Sequence, residues 1–139
     1  MKHLRFCFIA MTLLCIVLTN AWAGVKVIAN SSVAANSISA DDLKGVFLLE
    51  KNSVAGAHVE PVLAKGGATH EAFLGQYLSK TDSALQTYYR SLVFTGKASM
   101  PKILGSDAEV AAYVAKTKGA IGYVSDGASV DGVKTLDVK

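Results

Sequence analysis

The 139-residue chain is short of cysteine, histidine, arginine and proline, and each shortage closes off some chemistry. Its two cysteines, Cys7 and Cys15, both lie in an N-terminal stretch that reads as a removable leader. The remaining chain can then form no disulfide, no thiolate metal site and no cysteine nucleophile. Beyond that stretch the histidines are His58 and His70, with no H-x-x-x-H pair. There is no G-x-S-x-G elbow and no Walker-type glycine loop. A Ser/His/Asp triad leaves no local signature, because its members meet only in the fold. Nothing in the residues favours one, so the expectation is a protein that is not an enzyme and uses no cofactor and no metal. His58 falls in a turn and is expected to face solvent.

Charge is nearly balanced. Fourteen Lys and Arg face eleven Asp and Glu, and removing Lys2 and Arg5 with the leader leaves a net charge of +1. A nucleic-acid binder needs a concentrated basic face. None is visible, and no charge run, repeat or low-complexity segment occurs. Nucleic acid is therefore not an expected partner.

The leader has three parts. Lys2 and Arg5 form a positive start, and an apolar run spans Phe6 to Leu18. That run is about 13 residues, short of the ~20 that a spanning helix needs. Ala21-Trp22-Ala23 then supplies an A-x-A cleavage pattern. Residues 1–23 are expected to be a signal peptide cleaved after Ala23, placing 24–139 in the periplasm. An uncleaved anchor is the alternative. Lipoprotein processing at Cys15 would want a small residue before it, and Leu14 is not small.

The rest reads as one domain. Val25 to Ala29 is a β-branched apolar run, hence a buried strand. Ser39-Ala40-Asp41-Asp42 is a capping-box pattern in which Asp42 reaches back, and Leu43, Val46 and Phe47 follow at helical spacing. That helix is expected to end near Leu49. Residues 50–57 are a turn region. Val59 to Leu63 reads as a second strand, and Pro61 within it suggests an edge or a strand end. A helix from Thr69 to Leu78 follows. Thr81 or Asp82 caps the next, whose buried stripe is Leu85, Tyr88, Tyr89, Leu92 and Val93. Gly96 stops it, and Pro101 lies in the loop beyond. Ser106 to Glu109 is a second capping box, with Val110, Tyr113 and Val114 buried and an end near Gly119. Strands at 120–124 and 133–138 close the chain. The order β-α-β-α-α-α-β-β predicts an α/β sandwich around a small mixed sheet.

Lys65-Gly66-Gly67-Ala68-Thr69-His70 stands between the second strand and its helix. The first turn of a helix leaves backbone N–H groups without intrahelical partners, and the helix dipole adds partial positive charge there. Glycines allow close approach, Lys65 adds charge and Thr69 a hydroxyl. These are the parts of an oxyanion cradle. The same residues also make an ordinary turn with Thr69 as N-cap, and Glu71 in the first turn would compete with a bound anion. Both readings stay open on these residues alone.

Four stretches resemble, in order, the periplasmic phosphate-binding proteins of ABC importers. They are ISADDLKGVFL (38–48), VEPVLAKGGATHEAF (59–73), LVFTGKAS with the GSDAEV that follows (92–99 and 105–110), and the helix-to-strand ending KGAIGYV (118–124). The resemblance runs from Val25 to Val124 and matches small single-lobe members of that family. It implies one lobe of a type II periplasmic-binding-protein-like fold, a small mixed sheet packed with helices. It further implies phosphate or a related oxyanion as ligand, in transport or sensing, with an ABC importer or membrane sensor as partner. The ligand residues it implies are Lys65, Gly66, Gly67, Ala68, Thr69 and His70, joined by Ser31 and Ser32 from the first loop. The loop departs from the family pattern. Ala64 and Lys65 stand where an arginine is expected, and Ala68 stands for a serine. Lysine is a point charge where arginine would grip bidentately. A homodimer could rebuild a two-sided cleft. The alternative is an adaptor that kept the lobe and lost the ligand, marked by an exposed apolar patch where the missing lobe would sit. A small enzyme is the third possibility, requiring a titratable group of perturbed pKa in a pocket.

Overall fold

A computed structural model describes residues 24–139. The signal peptide expected at 1–23 lies outside the described residues. Strand β1 (Val25–Ala29) and the two-residue β2 (Ser37–Ile38) lead to helix α1 (Ala40–Phe47). A small hairpin, β3 (Ser53–Val54) and β4 (Ala57–His58), precedes β5 (Glu60–Ala64). Helix α2 (Ala68–Phe73) continues as a π-helical turn over Leu74–Leu78. Then come α3 (Asp82–Phe94), β6 (Lys102–Leu104), α4 (Asp107–Lys116), β7 (Ala120–Ser125) and β8 (Lys134–Val138).

Six strands form one mixed sheet in the order β2-β8-β1-β7-β5-β6. β1 runs antiparallel to β7 and β8, while β5 runs parallel to β7 and β6. Side chains alternate across the sheet, as a period of two requires. Val27, Leu63, Ile121 and Tyr123 face one layer with Phe47, Phe73 and Leu85. Ile28, Val62, Ala120 and Val124 face the other, against Val110 and Val114 of α4. Gly122 belongs to that second face. A Cβ there would lie 2.9 Å from a Val110 methyl, so glycine lets α4 sit close on β7.

The expected elements are present, with several corrections. The turn region at 50–57 holds the β3–β4 hairpin, whose turn residues Ala55 and Gly56 both have positive φ. Pro61 is not on an edge strand, since β5 lies between β7 and β6. It sits at the start of β5, where Glu60 and Pro61 pair with β7 and only Val62 onward pairs with β6. Ser39, Thr81 and Ser106 accept the N-terminal amides of α1, α3 and α4 as N-caps. Asp42 pairs with Lys51, whose hydrogen bond holds its carboxyl below the usual range, and a side-chain hydrogen bond with its cap Ser39 lowers it further. Glu109 reaches the Gly105 amide at 2.8 Å.

Helix α3 departs furthest from expectation. Leu85 and Tyr89 are its buried residues, and the Tyr89 hydroxyl donates to the Phe47 carbonyl at 2.6 Å. Tyr88 and Leu92 are half-buried, and Val93 is exposed. The apolar stripe outruns the core beneath it.

Candidate functional site

The glycine loop leaves the C-terminal end of β5. Its first residue is tied to the sheet, because the Lys65 amide donates to the Leu104 carbonyl at 2.8 Å. Gly67 has φ +98, which glycine adopts without a side-chain clash. It is also the N-cap of α2, and no side chain caps that helix. The turn reading with Thr69 as cap therefore gives way. Thr69 lies inside the first turn, and the intrahelical bonding starts with the Glu71 amide on the Gly67 carbonyl at 3.0 Å. The amides of Ala68, Thr69 and His70 precede that bond, at the positive end of the helix dipole. Lys65, Gly66, Gly67 and Ala68 are exposed and Thr69 is half-buried. A Cβ built on Gly66 or Gly67 would meet no atom within 4 Å, so the space above the loop is open.

His70 is placed differently. It is 1% exposed, and both ring nitrogens are engaged. Nε2 lies 2.7 Å from Asp82 Oδ1, and Nδ1 contacts the Tyr123 hydroxyl. That hydroxyl also receives the Ala64 amide at 3.0 Å. A carboxylate only accepts, so Nε2 carries the proton toward Asp82. With the proton on Nε2, Nδ1 accepts from the Tyr123 hydroxyl, which accepts from the Ala64 amide. Every group in the chain of bonds is satisfied in this one direction. Burial pushes the Tyr123 phenol well above its ordinary value, the Ala64 hydrogen bond opposing, so the hydroxyl stays protonated. The network holds Ala64, the residue immediately before the loop, against β7 and α3. Phe73 stacks on the Tyr123 ring beneath it at 3.9 Å between centroids. His70 thus braces the loop from below rather than lining it. An Asp–His–hydroxyl row could also suggest catalysis, but His70 and Tyr123 are sealed in the core and line neither the open apolar surface nor the cavity described below.

Ser31 and Ser32 are not brought to this loop. Asn30, at the end of β1, donates from its side chain to the Val114 and Ala115 carbonyls at 2.8 and 3.1 Å. Ser32 Oγ accepts the Gly119 amide at 3.0 Å. Ala29 pairs with Ile121, and Ala120 pairs with Glu60, so this turn sits beside the start of β5. The Lys65 loop follows the end of that strand, roughly 13–16 Å away at the usual rise per residue. Sequence reasoning missed Asp82 and Tyr123 as braces. The available signal was a tyrosine in an all-buried strand, whose hydroxyl needs a partner. Among the described residues no group of three metal-ligating side chains converges, and no helix is long and apolar enough to cross a membrane.

The mixed sheet clad by helices has the fold of one lobe of a periplasmic-binding-protein-like structure. Three solved structures share it. An ABC-type phosphate transport receptor from Vibrio cholerae superposes with a TM-score of 0.66 at 13% identity, over 83% of this chain and 46% of that one. A putative phosphate ABC transporter substrate-binding protein from Clostridium perfringens, with bound phosphate, gives 0.65 at 16%, over 83% and 44%. PstS from Borrelia burgdorferi gives 0.54 at 14%, over 84% and 47%. The chain spans less than half the length of each of these proteins. No protein-family model and no curated protein matches the chain.

Proposed function

We propose that the chain is an exported, periplasmic solute-binding protein that takes phosphate or a related oxyanion at the loop Lys65–Thr69, in the service of ABC transport or sensing. The observation that carries the reading is the uncapped N-terminus of α2, held on a braced and solvent-open glycine loop beside Lys65. An oxyanion there would accept from the Ala68 and Thr69 amides and the Thr69 hydroxyl, with Lys65 as counter-charge. His70 is assigned a bracing role instead of ligand contact, and Ser31 and Ser32 are left out of the site. The open side of the loop makes each contact weaker than in a closed cleft, because water competes for it. A second copy closing over the loop would restore a dry site. The proposal includes no catalytic step.

That openness also favours a second reading, a protein that keeps the lobe fold and binds another protein instead of a solute. Calorimetric titration of residues 24–139 with phosphate, and with sulfate as control, at low salt separates the two. Saturable heat that disappears in a Lys65→Ala, Thr69→Ala double variant supports the oxyanion site. No heat and no thermal shift at millimolar phosphate would sink it.

A further inference from the structure

The described residues expose three large apolar side chains, Val93 at 42%, Phe94 at 93% and Met100 at 41%, and all three lie together. They line a shallow, open apolar surface with Arg90 and Thr87. Met100 also lines a cavity of about 610 Å³, walled by His58, Pro61, Lys97, Lys102 and Tyr113. The two join across Met100 into one elongated groove. It runs from the end of α3 to the start of β5, at the opposite end of that strand from the Lys65 loop.

The charge of this groove is predominantly positive. From Ser83 to Ser106 the chain contains no Asp or Glu, but it carries Arg90, Lys97 and Lys102. None of these three has an ion-pair partner among the described residues. Lys102 instead lies over the Tyr113 ring at 5.7 Å. Glu60 is the carboxylate in the groove's lining, 3.6 Å from His58, and Asp42 nearby pairs with Lys51. Exposed aromatic, methionine and arginine side chains grouped together are the composition of a protein-recognition surface. Arg90, Lys97 and Lys102 outnumber Glu60 around the groove, and that excess of positive charge favours an acidic partner through the long-range field.

We propose that this groove docks an acidic, apolar-bearing segment of a partner protein, independently of any solute at the Lys65 loop. Its carboxylates pair with Arg90, Lys97 and Lys102, and its apolar side chains cover Val93, Phe94 and Met100. A second copy using the same face would set each cation against its own kind, which Coulomb repulsion opposes.

The test is selection of a random-sequence peptide library on the purified protein, followed by titration of the enriched peptides with a fluorescent label. The expected peptides combine Asp or Glu with aromatic or aliphatic residues and bind more weakly as salt rises. Their affinity should fall about tenfold or more in Phe94→Ser, the expected size for a central apolar anchor. It should fall similarly in Lys97→Glu, Lys102→Glu. All three positions are exposed, so thermal melts should show both variants folded. Enriched peptides that are neutral or basic, or affinity unchanged in both variants, would overturn the proposal. So would failure to enrich any peptide, binding only to phosphatidylglycerol vesicles, or self-association in sedimentation that Phe94→Ser abolishes.

Discussion

The two ends of β5 are built in opposite ways. At its C-terminal end the Ala64 amide is held by Tyr123, Tyr123 by His70, and His70 by Asp82, with Phe73 stacked below. At its N-terminal end Glu60 and Pro61 border an uncovered groove that continues to Phe94. Phe73 and Phe94 are both helical phenylalanines, yet one is 0% and the other 93% exposed. The sheet supplies a floor under α2 but not under the last turn of α3. A rigid end suits a site that must be pre-organised for a small ligand. An uncovered apolar end suits a surface that is completed by a partner.

Truncating the two phenylalanines should give the largest contrast. Phe73→Ala removes a ring packed against Phe47, Tyr77 and Tyr123, and should cost about 3–5 kcal/mol in urea unfolding. Phe94→Ala should change stability by no more than about 0.5 kcal/mol. Equal losses would show that the end of α3 is covered and would erase the contrast.

The brace comes next. His70→Ala leaves the Tyr123 hydroxyl without its acceptor and Asp82 without its donor, at a cost of about 1–3 kcal/mol. Adding Tyr123→Phe should cost less than the sum of the two single changes, because both act on one row of bonds. Strict additivity in the double-mutant cycle would show that the row does not act as a unit.

Alkaline titration sharpens the same comparison. Burial raises the phenols of Tyr89 and Tyr123 above the ordinary value of 10.0. The unfolded chain therefore loses these protons first as pH rises. The stability they contribute is complete below pH 10 and drains away above it. Tyr123→Phe should flatten the fall of unfolding free energy measured above pH 10. A profile as steep as the parent's would mean the phenol is free to ionise in the fold.

A small stabilisation is expected at the hairpin that precedes β5, where Ala55 has φ +51. Asparagine visits that conformation more readily than alanine, so Ala55→Asn should stabilise by about 0.5–1 kcal/mol. A lower melting temperature would count against the strained turn.

Much of the fold was legible because it is written in short-range patterns. The strands at 25–29 and 120–124 are β-branched apolar runs, and Ser39, Thr81 and Ser106 cap their helices through bonds three residues long. The short strands β2, β3, β4 and β6 were not legible, because two or three residues carry no period. The reach of the core was not legible either. Leu92 and Val93 continue the stripe of Leu85 and Tyr89 at perfect spacing, and spacing does not report where the sheet stops.

The sequence by itself determined the longer strands and helices, the capped starts of α1, α3 and α4 and the glycine loop at a strand-to-helix junction, since each depends on residues within a turn or two of one another. Tertiary structure alone decided what surrounds that loop. His70 meets a tyrosine 53 residues away and turns inward, and Ser31 and Ser32 are carried to the far end of β5 by strand register. Contacts of that range follow from how the sheet is ordered, and no local pattern of residues records the order of the strands.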